Sequence, residues 1–205
     1  MAWWSKSAIP YRNLEFQSFI NAFIFECPVC IRKKVKVENM SNKKSKSETK
    51  YQPVSARDCS FKNRGITGNL LTTILARIRK PLVINNAYAV IEPTGNIEVK
   101  VQSIIETTDL SDINFELMVY KTRSEMPDTE AIFYYIRNSF AHGSFEIINQ
   151  DGENIYLLES SKDKDIKAQM RLKATTLNYY VELANLSNRE ISSLQKKRNR
   201  KKTHK

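Results

Sequence analysis

The stretch YYIRNSFAHGSF, residues 134 to 145, sets an arginine and a histidine five positions apart at the end of an aromatic-rich run. The chain's other histidine, His204, lies in a tail of lysines and arginines, so imidazole chemistry in the folded part falls to His142. A histidine side chain, with an unperturbed pKa of about 6.5, takes and gives a proton near neutral pH. Arginine is a permanent cation whose planar donor fork matches phosphate oxygens. Together they suffice to cleave RNA without a metal ion. A base frees the 2′-hydroxyl to attack the adjacent phosphorus, an acid protonates the leaving 5′-oxygen, and a cation steadies the charge that builds on the phosphoryl group. DNA, which lacks that hydroxyl, would be spared.

Geometry limits what one helix can do. Five residues advance a helix by about 140° past a full turn, so Arg137 and His142 leave a straight helix on different faces, whereas Asn138 and His142 nearly align. Either the helix ends at His142 and turns the ring, or a second subunit supplies the missing groups. A symmetric dimer would gather two histidines and two arginines around one cleft and provide base and acid together. An arginine followed four to six positions later by a histidine is common by itself, since Arg198 and His204 also fit. The first match stands out by its surroundings: a buried-looking helix, Asn138 beside the arginine, small Ala141 beside the histidine, and Gly143 as a terminator. The plain structural role for His142 is a cap at a helix C-terminus, where a protonated ring suits the macrodipole.

The elements that must carry these groups are legible in part. Leu14, Phe16, Phe19, Ile20, Phe23 and Ile24 recur at helical steps and predict a helix over 14–25 that stops at Pro28. Leu70, Leu71, Ile74, Leu75 and Ile78 predict a second helix between Gly68 and Lys80, closed by Pro81. PLVINNAYAVIEP is ambiguous between helix and strand, while IEVKVQSIIE and INFELMVYK read as helical. Pro127 with Asp128 or Thr129 opens the motif helix, and Gly143 supplies its left-handed stop. FEIINQDGENIYLLES alternates apolar and polar residues about Asp151-Gly152 and predicts a two-stranded hairpin. A last helix is expected from about Lys167 to Leu186.

Charge is unevenly distributed. The formal net charge is +11, yet residues 32–50 carry +6 and residues 196–205 carry +7, which leaves the rest of the chain at about −2. The basic excess therefore sits in two appendages suited to a polyanion, because each lysine or arginine that meets a phosphate releases a counterion. Residues 38–56, rich in Ser, Asn, Lys and Glu without an apolar period, read as a loop or linker. In the tail, Lys196, Lys197, Arg198, Arg200, Lys201 and Lys202 are the candidate RNA-binding residues. At 205 residues and 41% hydrophobic content, one domain over 1–190 with a basic low-complexity loop at about 32–56 and a disordered basic tail over 191–205 is expected.

Cys27, Cys30 and Cys59 are an odd number with no signal-peptide pattern, which points to a reduced, cytoplasmic setting. Cys27 and Cys30 have the spacing of a zinc knuckle, but no second pair or nearby histidine completes four ligands, so packing cysteines are the expectation. The apolar run over 16–25 is too short and too polar to span a bilayer.

The residues RNSFAHGSF, taken with their predicted helical surroundings, resemble the signature of the HEPN superfamily: Arg, a polar residue often Asn, a few positions, then His. The hairpin that follows and IKAQMRLKATTLNYYVEL resemble a bacterial, partly plasmid-borne branch of it, so the likeness covers about residues 60–186. The resemblance implies an all-α fold, a compact helical bundle with a β-hairpin insertion after the motif helix, dimerised with its motifs facing. It also implies a metal-independent ribonuclease without a cofactor, of the kind found in toxin–antitoxin pairs and phage defence, with an antitoxin or regulatory partner. Carried over, Arg137 would bind and stabilise the scissile phosphate, Asn138 would position it or the ring, and His142 would be general base or acid. The alternative is a non-catalytic HEPN-type module that binds RNA or a partner protein.

Overall fold

A computed structural model describes residues 13–38, 45–84, 87–109 and 112–202, with the backbone alone for 37, 38, 45 and 196–202. Its centre is a five-stranded mixed sheet in the order β3-β4-β7-β6-β5, with a separate two-stranded ribbon, β1-β2. The all-α expectation is thereby corrected. The chain is mixed α/β, with 29% of its residues in strands, and the hairpin expected as an insertion is one side of the main sheet.

The sheet consists of β3 (Tyr88–Ile91), β4 (Leu117–Lys121), β5 (Phe145–Gln150), β6 (Glu153–Lys162) and β7 (Asp165–Lys173). β3 and β4 are parallel, and every other pairing is antiparallel. The β5–β6 turn is the predicted one, with Asp151 and Gly152 both at positive φ (50° and 83°), as a two-residue hairpin turn requires. β4 is buried throughout because it is covered on both faces. Leu117 and Val119 join Ala87, Ile97, Val101 and Ile104 in a small core under α3 (Ile97–Ile105). Met118 and Tyr120 point the other way, into the main core.

INFELMVYK reads as a helix because a short continuous apolar run has no period of its own, and burial on both faces is what makes it a strand. The expected helix over 167–186 is likewise divided. Ala168, Met170 and Leu172 alternate with Gln169 and Arg171 along β7, and the helix, α5 (Ala174–Asn185), starts only after Lys173.

The main core lies between the sheet and the remaining helices. α1 (Leu14–Ile20) continues as a π-helical turn over Asn21–Phe25. α2 (Asn69–Ile84) passes through Pro81 without stopping, and Leu82 beyond it is buried. α6 (Asn188–Lys202) follows α5 and packs on α2. The motif helix, α4 (Asp128–Ala141), lies against β6 and buries Ala131, Ile132, Phe133, Tyr135, Ile136 and Phe140. Phe23 stacks on Phe133 and Phe140 with ring centroids 6.2 and 5.8 Å apart.

The region expected as a basic loop is ordered differently. β1 (Cys30–Glu38) and β2 (Ser45–Pro53) pair antiparallel in a register that matches Cys30 with Pro53 and Glu38 with Ser45. Lysines and serines suggest a loop by composition, yet Ile31, Val35 and Val37 recur at alternating positions as a ribbon needs.

Candidate functional site

α4 is fixed in place before it reaches the motif. Thr129 Oγ1 donates to Leu71 O of α2 at 2.8 Å, and the Tyr135 hydroxyl donates to Lys121 O of β4 at 2.9 Å. One residue in its first turn, Glu130, is a nearly buried carboxylate. Burial raises its pKa from 4.5 to about 7 against the opposing pull of Arg32 and Lys62. The folded chain thus holds this proton in a window where the unfolded chain has released it, so stability falls as pH rises from about 4.5 to 7. Glu130→Gln is expected to remove that loss: the variant gains up to about 3 kcal/mol on the wild type above pH 7 and little below pH 4.5, as read from urea unfolding across that range.

The helix ends at the histidine. Gly143 N donates to Phe140 O (3.2 Å) and Ser144 N to Ser139 O (2.9 Å), the paired bonds of a Schellman cap, with Gly143 in the left-handed region at φ 65°. This leaves His142 as the C-cap, with φ −98° and ψ 2°. The backbone has left the helical path there, and that turn carries the exposed ring to the side from which Arg137 projects. The helix does end at His142, as the first of the two routes open in the sequence requires. Gly143→Ala puts a Cβ into the left-handed region and is expected to cost about 1–2 kcal/mol in thermal unfolding, with a larger proportional loss of whatever activity depends on His142.

Arg137, Asn138 and His142 line one cavity of about 360 Å³. Its wall is completed by Ile31, Lys33, Gln52, Pro53 and Val54 at the base of the ribbon, and by Tyr134, Ser161 and Lys162. Lys33, Arg137 and Lys162 are cations, and no carboxylate among the described residues lines the space. Arg137 is half-buried and donates through Nη1 to Asn138 Oδ1 at 3.1 Å. Its Nε is buried with no acceptor among the described residues, a cost of about 1–3 kcal/mol.

A second cavity of about 310 Å³ adjoins the first and shares Tyr134, Asn138, Ser161 and Lys162 with it. Lys121, Arg123 and Lys167 add cations there, though each has an acidic partner. Lys121 Nζ lies 2.6 Å from Asp165 Oδ1, Lys167 also pairs with Asp165, and Arg123 Nε lies 2.6 Å from Glu125 Oε1. The Arg123 guanidinium also covers the Tyr134 ring at 4.1 Å. Burial alone would push the Tyr134 phenol up. The Asn138 hydrogen bond and the Arg123 cation outweigh it and hold the phenol below its usual value.

Lys33, Lys162 and Tyr134 were not singled out in the sequence. Lys33 was one of eight basic residues in a presumed loop, and Lys162 reaches the site only because β6 runs past α4. The candidates Lys196, Lys197, Arg198, Arg200, Lys201 and Lys202 fall on α6, where the backbone alone is described. His204 lies outside the described residues. Cys27 and Cys30 are buried, and burial pushes the Cys27 thiol up to about 12 although a backbone hydrogen bond and Arg137 oppose it. Among the described residues no group of three or more His, Cys, Asp or Glu side chains is placed to hold a metal ion. None of their helices is long and apolar enough to cross a membrane.

No protein family, curated protein or solved structure matches the chain.

Proposed function

We propose that the chain is an endoribonuclease that cleaves RNA by 2′-hydroxyl transesterification without a metal ion. The observation that carries the reading is the cavity in which Arg137, Asn138 and His142 meet Lys33 and Lys162, with no carboxylate among the described residues that line it. A phosphodiester carries negative charge at every step of this reaction, and the pentacoordinate state carries more than the substrate. A half-desolvated site built of cations and neutral donors favours it, and favours most the extra charge of the pentacoordinate state. Arg137, with one Nη1 proton engaged by Asn138, keeps the rest of its fork for phosphoryl oxygens. His142, at the exposed end of the helix, moves the proton of the 2′-hydroxyl or of the leaving oxygen.

Transesterification needs a base and an acid, and His142 is the one imidazole among the described residues that line the cavity. The reading places the second proton carrier on another copy of this chain, in a dimer whose motif helices face each other across one RNA strand. The motif from Arg137 to His142 is the part of the HEPN resemblance on which this draws. From the same resemblance come the proposed setting, a cytoplasmic toxin or phage-defence nuclease, and a protein partner that restrains it. Binding without cleavage is the second reading, because the cations that steady a transition state also hold an intact phosphate.

The two readings separate on a defined oligoribonucleotide and its copy with a single 2′-deoxynucleotide at the cut site. Cleavage of the first and not of the second is the expected result. Equal cutting of both, or tight binding with no cutting of either, would contradict the nuclease reading.

A further inference from the structure

The motif helix does not account for the ribbon. β1 and β2 pair along their whole length, yet the ribbon packs extensively on no other helix or strand. A lone two-stranded hairpin is marginal in water. Only its base is tied down: Val54 N donates to Val29 O at 3.2 Å, and the Lys62 ammonium sits 3.1 Å from the centre of the Tyr51 ring.

Beyond that base the side chains divide between two faces. Ile31, Lys33 and Gln52 line the Arg137–His142 cavity, so the two-residue period and the register put Lys46 and Lys50 on the same side. Lys34 and Lys36 take the opposite side. Lys33 and Lys50 stand directly across from each other, and like charges in that position repel. Glu48 answers only loosely, with its Oε2 3.8 Å from Lys50 Nζ. An anion lying between the two lysines would turn that repulsion into attraction. From Gln52 to Lys46 the face continues for about 20 Å away from the cavity.

We infer that the cavity-side face of the β1–β2 ribbon is an RNA track, on which Lys33, Lys50 and Lys46 hold the phosphates of the strand that leaves the cavity. This rests on the reading of the cavity as an RNA site. It adds that the substrate is a strand several nucleotides longer than the cavity, gripped by its backbone without choice of base. Continuity selects RNA over an acidic protein as occupant, since the lysines begin at the cavity wall. Lysines that only kept the ribbon's open edges from pairing with other chains would matter equally on either face.

The test compares two variants of the full-length protein that each remove two charges, Lys46→Gln/Lys50→Gln, which leaves the cavity-lining Lys33 in place, and Lys34→Gln/Lys36→Gln. Fluorescence anisotropy measures binding to labelled 2′-O-methyl oligouridylates of about 4 and about 15 nucleotides, which cannot be cleaved, over a range of salt. For the cavity-side variant, the dependence of log affinity on log salt is expected to weaken by about 1.4 on the longer strand, from about 0.7 per lost phosphate contact. Affinity for the longer strand should drop more than tenfold at moderate salt, while affinity for the shorter one stays within about twofold. The opposite-face variant should match the wild type. Equal losses from both faces, or an unchanged salt slope, would overturn the track and leave the cavity reading standing. Failure of the wild type to bind either strand would overturn both.

Discussion

His142→Ala is expected to slow RNA cleavage by about 10²–10⁴-fold, the usual contribution of a positioned proton carrier, while thermal stability changes by less than about 0.5 kcal/mol. The second half of that expectation follows from how the helix ends. The bonds that close α4 run from Gly143 N to Phe140 O and from Ser144 N to Ser139 O, all of them backbone atoms, so truncating an exposed ring at the C-cap leaves the cap intact. A purely structural histidine would show the reverse pattern. Losing a favourable dipole contact would cost about 0.3–1 kcal/mol, and cleavage would fall only as far as the fold did. Turnover of a defined oligoribonucleotide beside a thermal melt decides between them.

Arg137→Lys is expected to lose about 10²–10³-fold in turnover with RNA affinity reduced only severalfold. Lysine keeps the charge and so most of the attraction for an intact phosphodiester. It does not keep the planar fork, which can hold Asn138 with one donor and phosphoryl oxygens with the others. The split between kcat and binding is the diagnostic feature. An arginine that served only to attract RNA would be replaced by lysine with both quantities nearly unchanged, and one needed only to fill its half-buried position would show its loss as a lower melting temperature.

The parts of this chain that could be read from its sequence are those whose pattern is local. α1, α2, α3 and α4 announce themselves by apolar residues at helical steps, and the β5–β6 hairpin by Asp151-Gly152 between alternating runs. The sheet was missed because its central strands depend on what covers them. β4 has no alternation to detect, since Leu117 and Val119 face α3 while Met118 and Tyr120 face the main core. β7 does alternate, with Ala168, Met170 and Leu172 inward, but Met170 also fits a helical stripe continuing into Leu177 and Val181. Pro81 was read as a stop by its chemistry, and the burial of Leu82 in the core carries α2 past it.

The site divides along the same line. Arg137, Asn138 and His142 lie within six residues of one another and could be picked out together. Lys33 and Lys162 come from strands 109 positions before and 20 positions after His142 as the sequence is numbered, so only the fold brings them to one cavity. Composition gave the ribbon its charge but not its shape. Nineteen residues with eight basic side chains look like a solvated loop until Ile31, Val35 and Val37 are seen to alternate in register with the returning strand.

The central claim is that His142 and Arg137 act together on RNA without a metal ion. Its most direct test is digestion of total RNA by the purified protein in excess EDTA, beside His142→Ala, with the fragment ends analysed. Fragments ending in 2′,3′-cyclic phosphate are expected from the wild type and none above background from the variant. Cleavage that disappears in EDTA, or that is the same in both proteins, would contradict it.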